Sequence, residues 1–230
     1  MATSIQRTFG TPTNNKIFTY SVWLKINSTS VTHPLLSGGS SSRPSPEITL
    51  ASDGKLKFNS YNGSGYDVEL QTSALYRDVN GWYHIVVAVD TTQATASNRV
   101  KFYVNGEQVT SFSTSTYPSQ NFVLQMNEAY THVIGGYTFG GISANADNML
   151  LSHVHFIDGT AYDATAFGEY DSNGVWKAKT SPSVTYGTNG FFILKDSASV
   201  TDQSVNGNNF TVAGGTLTNT QDCSANVFAT

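Results

Sequence analysis

Glu169 and Asp171 stand two residues apart in the last third of the chain. On a strand, alternate side chains share a face, and two carboxylates facing one another across a sugar are what glycoside hydrolysis requires. Here they follow a short helical pattern inside a Gly- and Asn-rich stretch, and no catalytic residue is assigned. His153 and His155 also stand two apart in a strand-like run. Such a pair suits a transition metal, but no third ligand has the right spacing, so the pair reads as a solvent or interface face. Asp158, Asp163, Asp171, Asp196 and Asp202 fall in loop-like segments, where carboxylates and carbonyls hold calcium if about six to eight oxygens converge. Asp158-Gly159 and Asn206-Gly207 are better explained as turns. No metal or other cofactor is expected, with calcium the one alternative these loops leave open. Tyr61, Tyr66, Tyr137 and Phe139 lie in Gly-rich, loop-like stretches. They are the candidate ligand contacts, because exposed aromatic rings stack on sugars; the competing role is to cover the ends of the fold or to pack on another subunit. Cys223, the lone cysteine, has no histidine nearby and reads as an inert thiol. No Ser, His and Asp group into a triad.

The segments that must position these residues alternate with period two. Tyr20, Val22, Leu24 and Ile26 alternate with Thr19, Ser21, Trp23 and Lys25, which predicts a strand with one buried face. Ile48 and Leu50, then Leu56 and Phe58, alternate on either side of Asp53-Gly54 and predict a hairpin. Trp82–Asp90 is apolar at both alternations: Tyr83, Ile85, Val87 and Val89 on one side, Trp82, His84, Val86 and Ala88 on the other. Such a strand belongs in the middle of a sandwich or under a covering loop. Asn105-Gly106, between Val100–Val104 and Glu107–Val109, predicts a type I′ turn. Further strands are expected at His132–Ile134, Met149–Ile157 and Phe191–Leu194. Asp163–Phe167 is expected to form a short helix capped by Asp163 and ended by Gly168. The stretch Ser37–Ser45 reads as a mobile loop. Many short strands between turn signals predict an all-β, two-sheet antiparallel jelly-roll sandwich with at most one or two short helices, spanning 1–230 as a single domain. Val22, Leu24, Ile85, Val87, Phe102 and Val104 are expected in its core.

Composition agrees. The chain has 230 residues, abundant aromatics, few charges and a net charge of −4. No basic run is present, and a nucleic-acid partner would require one. No apolar run is long enough to span a membrane, and the first residues carry no apolar core of a signal peptide. A single cysteine fits folding without disulfides, as in a cytosol. Sequons at Asn27, Asn62 and Asn209 are expected by chance in so Asn- and Ser-rich a chain.

Phe18–Lys25, Trp82–Thr91 and Val104-Asn105-Gly106-Glu107 resemble the opening strand, central strand and hairpin of laminin-G-like, concanavalin A-like jelly rolls. Phe156–Gly159, Ala166–Glu169, Asn173–Trp176, Tyr186–Phe191 and Asn206–Phe210, with Arg7–Phe9, Asp222 and Asn226–Phe228, are similar to a subgroup found in tail fibres and virion surfaces of marine bacteriophages. Glycosidases of this fold carry Glu-x-Asp-x-x-Glu on one strand; Gly174 stands at the third position here. His153 stands where the family carries an acidic residue. The resemblance therefore implies a protein that is not an enzyme. It implies a bacteriophage virion surface protein, a capsid decoration or knob, made in the host cytoplasm and present in several copies bound to other capsid or tail proteins. The alternative role it implies is a tail-fibre-type receptor-binding module for host-surface glycans.

Overall fold

A computed structural model describes residues 3–42, 44–144, 149–195 and 198–220. In chain order the strands are β1 (Ser4–Thr8), β2 (Ile17–Ile26), β3 (His33–Gly38), β4 (Ser45–Leu50), β5 (Leu56–Tyr61), β6 (Tyr66–Thr72), β7 (Tyr83–Asp90), β8 (Val100–Val104) and β9 (Glu107–Gln108). They continue with β10 (Phe112–Thr116), β11 (Thr131–Ile134), β12 (Gly136–Tyr137), β13 (Ser143–Ala144), β14 (Met149–Asp158), β15 (Gly168–Tyr170), β16 (Trp176–Ala178), β17 (Phe191–Ile193) and β18 (Thr211–Gly214). An eight-stranded sheet runs β10-β6-β5-β4-β3-β11-β1-β18, and a six-stranded sheet runs β17-β14-β2-β7-β8-β9. Neighbouring strands are antiparallel throughout, as in β2 against β7 and β4 against β5. The helical content described is three single turns of 3-10 helix. This is the expected all-β sandwich.

The alternation read from the sequence explains the core. Phe18, Tyr20, Val22 and Leu24 of β2, Ile85, Val87 and Val89 of β7, and Phe102 of β8 face Ile48, Leu50, Leu56, Phe58, Val68 and Leu70 of the opposite sheet. Val104 departs from expectation: it packs against this core but is only half-buried, because β8 ends there and enters the turn. The Tyr20 hydroxyl crosses the layer to donate to the Leu35 carbonyl at 2.8 Å, and burial raises its pKa. Asn105 and Gly106 both adopt positive φ, 50° and 90°, as the Asn-Gly turn requires. The Ser37–Ser45 stretch is shorter as a loop than expected: Ser37 and Gly38 close β3, and Ser45 opens β4. Val133 pairs with Ser37, so the ladder reaches into residues whose composition suggests a loop.

The outer face of β7 is covered rather than solvated. Val86 joins Ile157, Ala164 and Phe167 in a second buried cluster, against which Tyr103, Trp176 and Tyr186 pack. The Trp176 indole donates to His84 Nδ1 at 3.0 Å, and His84 Nε2 lies 2.9 Å from Ser21 Oγ. An acceptor at Nδ1 fixes the Nε2–H tautomer, so His84 donates to Ser21. Gly168 and Gly106 leave space for the Trp176 ring; at Gly106 a Cβ would approach it to 2.8 Å. Asp163 does cap a turn, accepting from Thr165 N at 2.9 Å, but Gly168 begins β15 instead of merely ending a helix.

His153 and His155 are not on a solvent or interface face. They are 2% and 1% exposed, and His84 is 0% exposed. A bulge between Ser152 and His155 holds His153 at φ 47°, and the His155 ring stacks on Phe192 with centroids 3.9 Å apart. The sheet face that alternation left open is closed by residues far along the chain. Burial pushes the His84 imidazole down to about 3, with His153 adding to the effect. Burial, then His153 and His84, hold His155 well below its ordinary range.

Two outcomes follow. Val87→Ala should cost about 1–3 kcal/mol from lost transfer energy and a cavity, read as a lower urea midpoint. His84 and His155 are held neutral in the fold and titrate near about 6.5 when unfolded, so below that pH the unfolded chain binds more protons. Stability should be complete above that value and fall as pH drops towards the folded values. The loss is at most about 1.4 kcal/mol per pH unit for each histidine. Melting curves from pH 7.5 to 4.5 would show this, and His84→Gln should flatten the slope. Equal slopes in the two proteins would refute the assignment.

Candidate functional site

The loop carboxylates are occupied by protein donors. Asp158, 2% exposed, accepts from Thr13 N at 2.7 Å and Asn189 N at 3.1 Å on one oxygen. The other accepts from Asn127 Nδ2 at 2.8 Å and Asn14 N at 3.2 Å. Asp202 accepts from Phe192 N and Asn208 N, at 2.8 and 2.7 Å, and from both N and Oγ of Ser204. Asp171 accepts from Val175 N and Asn173 N, at 2.9 and 2.8 Å, and these bonds hold its carboxyl below its usual range. Asp163 caps the turn described above. Among the described residues no group of three or more His, Cys, Asp or Glu is arranged to hold a metal. Asp196 and Cys223 lie outside the described residues.

Glu169 lies on β15 beside Asp171, on a separate two-stranded ladder with β16. Asp171 is committed to its own turn, and Gly174, at φ 77°, closes that turn. These carboxylates do not face one another across a cleft lined by the main sheets.

The four aromatic residues converge. Tyr61, Tyr66, Tyr137 and Phe139 line one groove of about 490 Å³ with Ser45, Glu47, Asn59 and Ser143. Three of them stand on strands, contrary to the loop placement expected: Tyr61 closes β5, Tyr66 opens β6 and Tyr137 lies in β12. The groove sits on the outer face of the eight-stranded sheet. Ile48 and Phe58 point inward, so their neighbours Glu47 and Asn59, paired in register, point outward, as do Ser45 and Tyr61.

Each wall is held by its turn. On one side, Asn62 Oδ1 accepts from Ser64 N, Ser64 Oγ and Gly65 N, each at 3.0 Å, and the Tyr61 hydroxyl donates to the Gly63 carbonyl. The Tyr61 and Tyr66 rings meet with centroids 5.0 Å apart at 57°. Facing them is the β12–β13 hairpin, in which Tyr137 pairs with Ser143. Its tip is tied down by Gly140 N donating to the Ser41 carbonyl at 2.9 Å. Tyr66 and Phe139, both lining the groove, are 44% and 47% exposed. Burial, with the Glu47 carboxylate second, pushes the Tyr137 phenol up to about 12, so it remains a neutral donor.

Four lining residues were not singled out from the sequence: Ser45, Glu47, Asn59 and Ser143. Asn59 carried a signal, because an amide is unusual in a strand. The arrangement can do what a saccharide site needs: aromatic faces for the C–H surface of a sugar ring, with acceptors and neutral hydroxyls beside them.

Comparison with known proteins bears on the fold. No curated protein matches the chain in sequence at a significant level. A candidate carbohydrate-binding protein from Bacteroides ovatus superposes with a TM-score of 0.54 at 14% identity, over 96% of this chain and 61% of that one. A heptameric SAP-like pentraxin from Limulus polyphemus superposes at 0.48 with 18% identity, over 70% of this chain and 71% of its own. The CBM40 of a Ruminococcus gnavus IT-sialidase, bound to α2,3-sialyllactose, gives 0.44 and 12%, over 66% and 86% of the two chains. A laminin-G-type family model, described as the concanavalin A-like lectin/glucanases superfamily, matches residues 3–148. That span exceeds half of the sequence and contains every described residue of the groove; the chain belongs to the concanavalin A-like lectin/glucanases superfamily.

Proposed function

We propose that this protein is a non-catalytic recognition module that binds a glycan in the groove between the β5–β6 and β12–β13 hairpins. The observation that carries the reading is the convergence of Tyr61, Tyr66, Tyr137 and Phe139 on one outer-sheet groove with polar groups between them. A ring laid on Tyr66 or Phe139 buries its apolar face while its hydroxyls reach Glu47, Asn59 and the tyrosine hydroxyls. The reading includes no hydrolysis and no metal, in keeping with Gly174 at the third carboxylate position and with loop carboxylates already filled by N–H donors.

The sequence resemblance supplies a setting, the surface of a bacteriophage virion, with virion proteins as partners and several copies per particle. Of the two roles it implies, a groove built for a ligand favours the host-binding module over the capsid decoration or knob. Imaging of labelled protein on intact particles tests this: fibre tips fit the adhesin, the head surface fits the decoration, and absence from purified virions rejects both.

Tyr66→Ala should weaken the best glycan from an array about tenfold or more, through lost stacking and burial, while lowering the melting temperature by only a few degrees, since the ring is partly exposed and its ring contact is with Tyr61. A protein that binds no saccharide, or a variant that binds as well as the parent, would refute the groove. EDTA should leave the melting temperature of the parent protein where it is. A fall restored by calcium would show a bound ion contributing to stability and remove the metal-free part of the reading.

A further inference from the structure

We infer that His132 is held as an imidazolium inside the fold and, in that form, positions the β12–β13 wall of the groove; what this does to binding rests on the glycan reading above. His132, on β11, is 0% exposed. Its two ring nitrogens face two backbone carbonyls: Nδ1 lies 2.9 Å from the Tyr130 oxygen and Nε2 2.9 Å from the Met126 oxygen. The Gln125 carbonyl is a third hydrogen-bonding neighbour. A carbonyl oxygen accepts and never donates, and a neutral imidazole has one N–H and one lone pair. A neutral ring, in either tautomer, would therefore aim a lone pair at a carbonyl oxygen across 2.9 Å. Only the imidazolium, with an N–H on each nitrogen, satisfies both contacts.

The ring stacks on Phe9, with centroids 3.7 Å apart at 13°, a contact that positive charge strengthens. Of the titratable groups on the surrounding elements, Arg7 on β1, His33 on β3, Glu128 and Tyr130 in the preceding turn and Asp158 at the end of β14, none bonds the ring through its side chain. Arg7 is turned to Asn208 and Asn209. Burial, the larger influence, would bring the imidazole down to about 4, against the carbonyls of Tyr130, Met126 and Gln125, which raise it. The contacts decide for the carbonyls. Losing the proton leaves a lone pair against an oxygen in a place closed to solvent, whereas a buried charge is tolerated where its N–H groups are bonded.

The charged ring gathers the segments that hold the groove wall. Its Nε2 grips the 3-10 turn Gln125–Asn127 through the Met126 carbonyl. From that turn Gln125 Oε1 accepts from Ser40 N at 3.3 Å, and the Ser41 carbonyl then accepts from Gly140 N at the hairpin tip. A second path runs through Gly38, the register partner of His132 on β3. A Cβ at Gly38 would come within 2.5 Å of the ring, and its carbonyl accepts from Thr138 Oγ1 at 3.3 Å, between Tyr137 and Phe139.

Proton–nitrogen correlation spectra of the histidine-labelled full chain read the ring directly, with His132 identified by its contacts to the Phe9 ring. At neutral pH both of its nitrogens should carry protons, while His84, bonded at Nδ1 by the Trp176 indole, should carry one. Above about 6.5 the unfolded chain has released this proton and the fold still holds it. The contribution of His132 to stability should therefore fade as pH rises towards the folded value, the reverse of the acid loss expected from His84 and His155. Gln125→Ala cuts the link to Ser40 and leaves the backbone carbonyls in place. It should move the Ser40 and Gly140 amide resonances, weaken the best array glycan of the parent about three- to tenfold, and leave both His132 nitrogens protonated. Gln125→Glu, which keeps an acceptor for Ser40, should behave as the parent. Thr138→Val repeats the comparison on the second path if the alanine variant folds poorly. A His132 nitrogen without a proton at neutral pH overturns the inference. An unmoved Gly140 resonance with unchanged affinity, in a variant that has lost either link, overturns the positioning role. If no array glycan binds the parent, the glycan reading falls, and the ring protons and the Gly140 resonance still decide His132.

Discussion

A strand that is apolar on both faces must be covered twice, and in this protein β7 imposes that demand. One cover is the opposite sheet. The other is the segment from Ala164 to Tyr186, fastened by the Trp176 indole on His84 and by Phe167 against Val86 and Ile157. Glycines at 106 and 168 are part of the same fastening, because a side chain at either would meet the Trp176 ring. The six-stranded sheet therefore has no wet face over its centre. It leaves the outer face of the eight-stranded sheet as the place where a large groove forms.

Two buried carboxylates tie the end of β14 and the neighbouring β17 to the loops around them. Asp158 ties residues 13 and 14, Asn127 and Asn189 to the end of β14. Asp202 ties Phe192 to the loop that follows, where Asn208 reaches the Thr188 and Gly190 carbonyls. Asp158-Gly159, Asn189-Gly190 and Asn206-Gly207 are in large part this stitching. Their spacing reflects the need to close the end of the sandwich.

The main strands were legible because their inner faces alternate strictly and their turns carry Asp-Gly or Asn-Gly; β2, the β4–β5 hairpin and the β8–β9 turn follow from those signals alone. The burial of His153 and His155 was not legible, since the residues that cover them lie tens of positions away and leave no mark on the local alternation. The groove was half legible. Its four aromatic residues stood out one at a time, but their meeting depends on β12 and β13 folding back beside β3 and β4. Glu47 went unremarked because an outward polar residue on a strand looks the same over solvent as on the floor of a groove, and the one hint at Asn59, an amide in a strand, does not say what lies above it.

The eight-stranded sheet ends on β18, which pairs with β1 at Ser4 opposite Gly214 and Ile5 opposite Val212. Next to that pairing, Arg7 reaches Asn208 and Asn209, and Gly10 exchanges hydrogen bonds with Asn189. Nearly the whole chain lies between the partners of each contact. Such pairings must close very long loops before they return any stability, which slows folding. During synthesis β1 has no finished neighbour on that side until residue 214 has left the ribosome. The earliest strand of this sheet is thus among the last to be completed, and until then its edge is a free template for pairing with other chains.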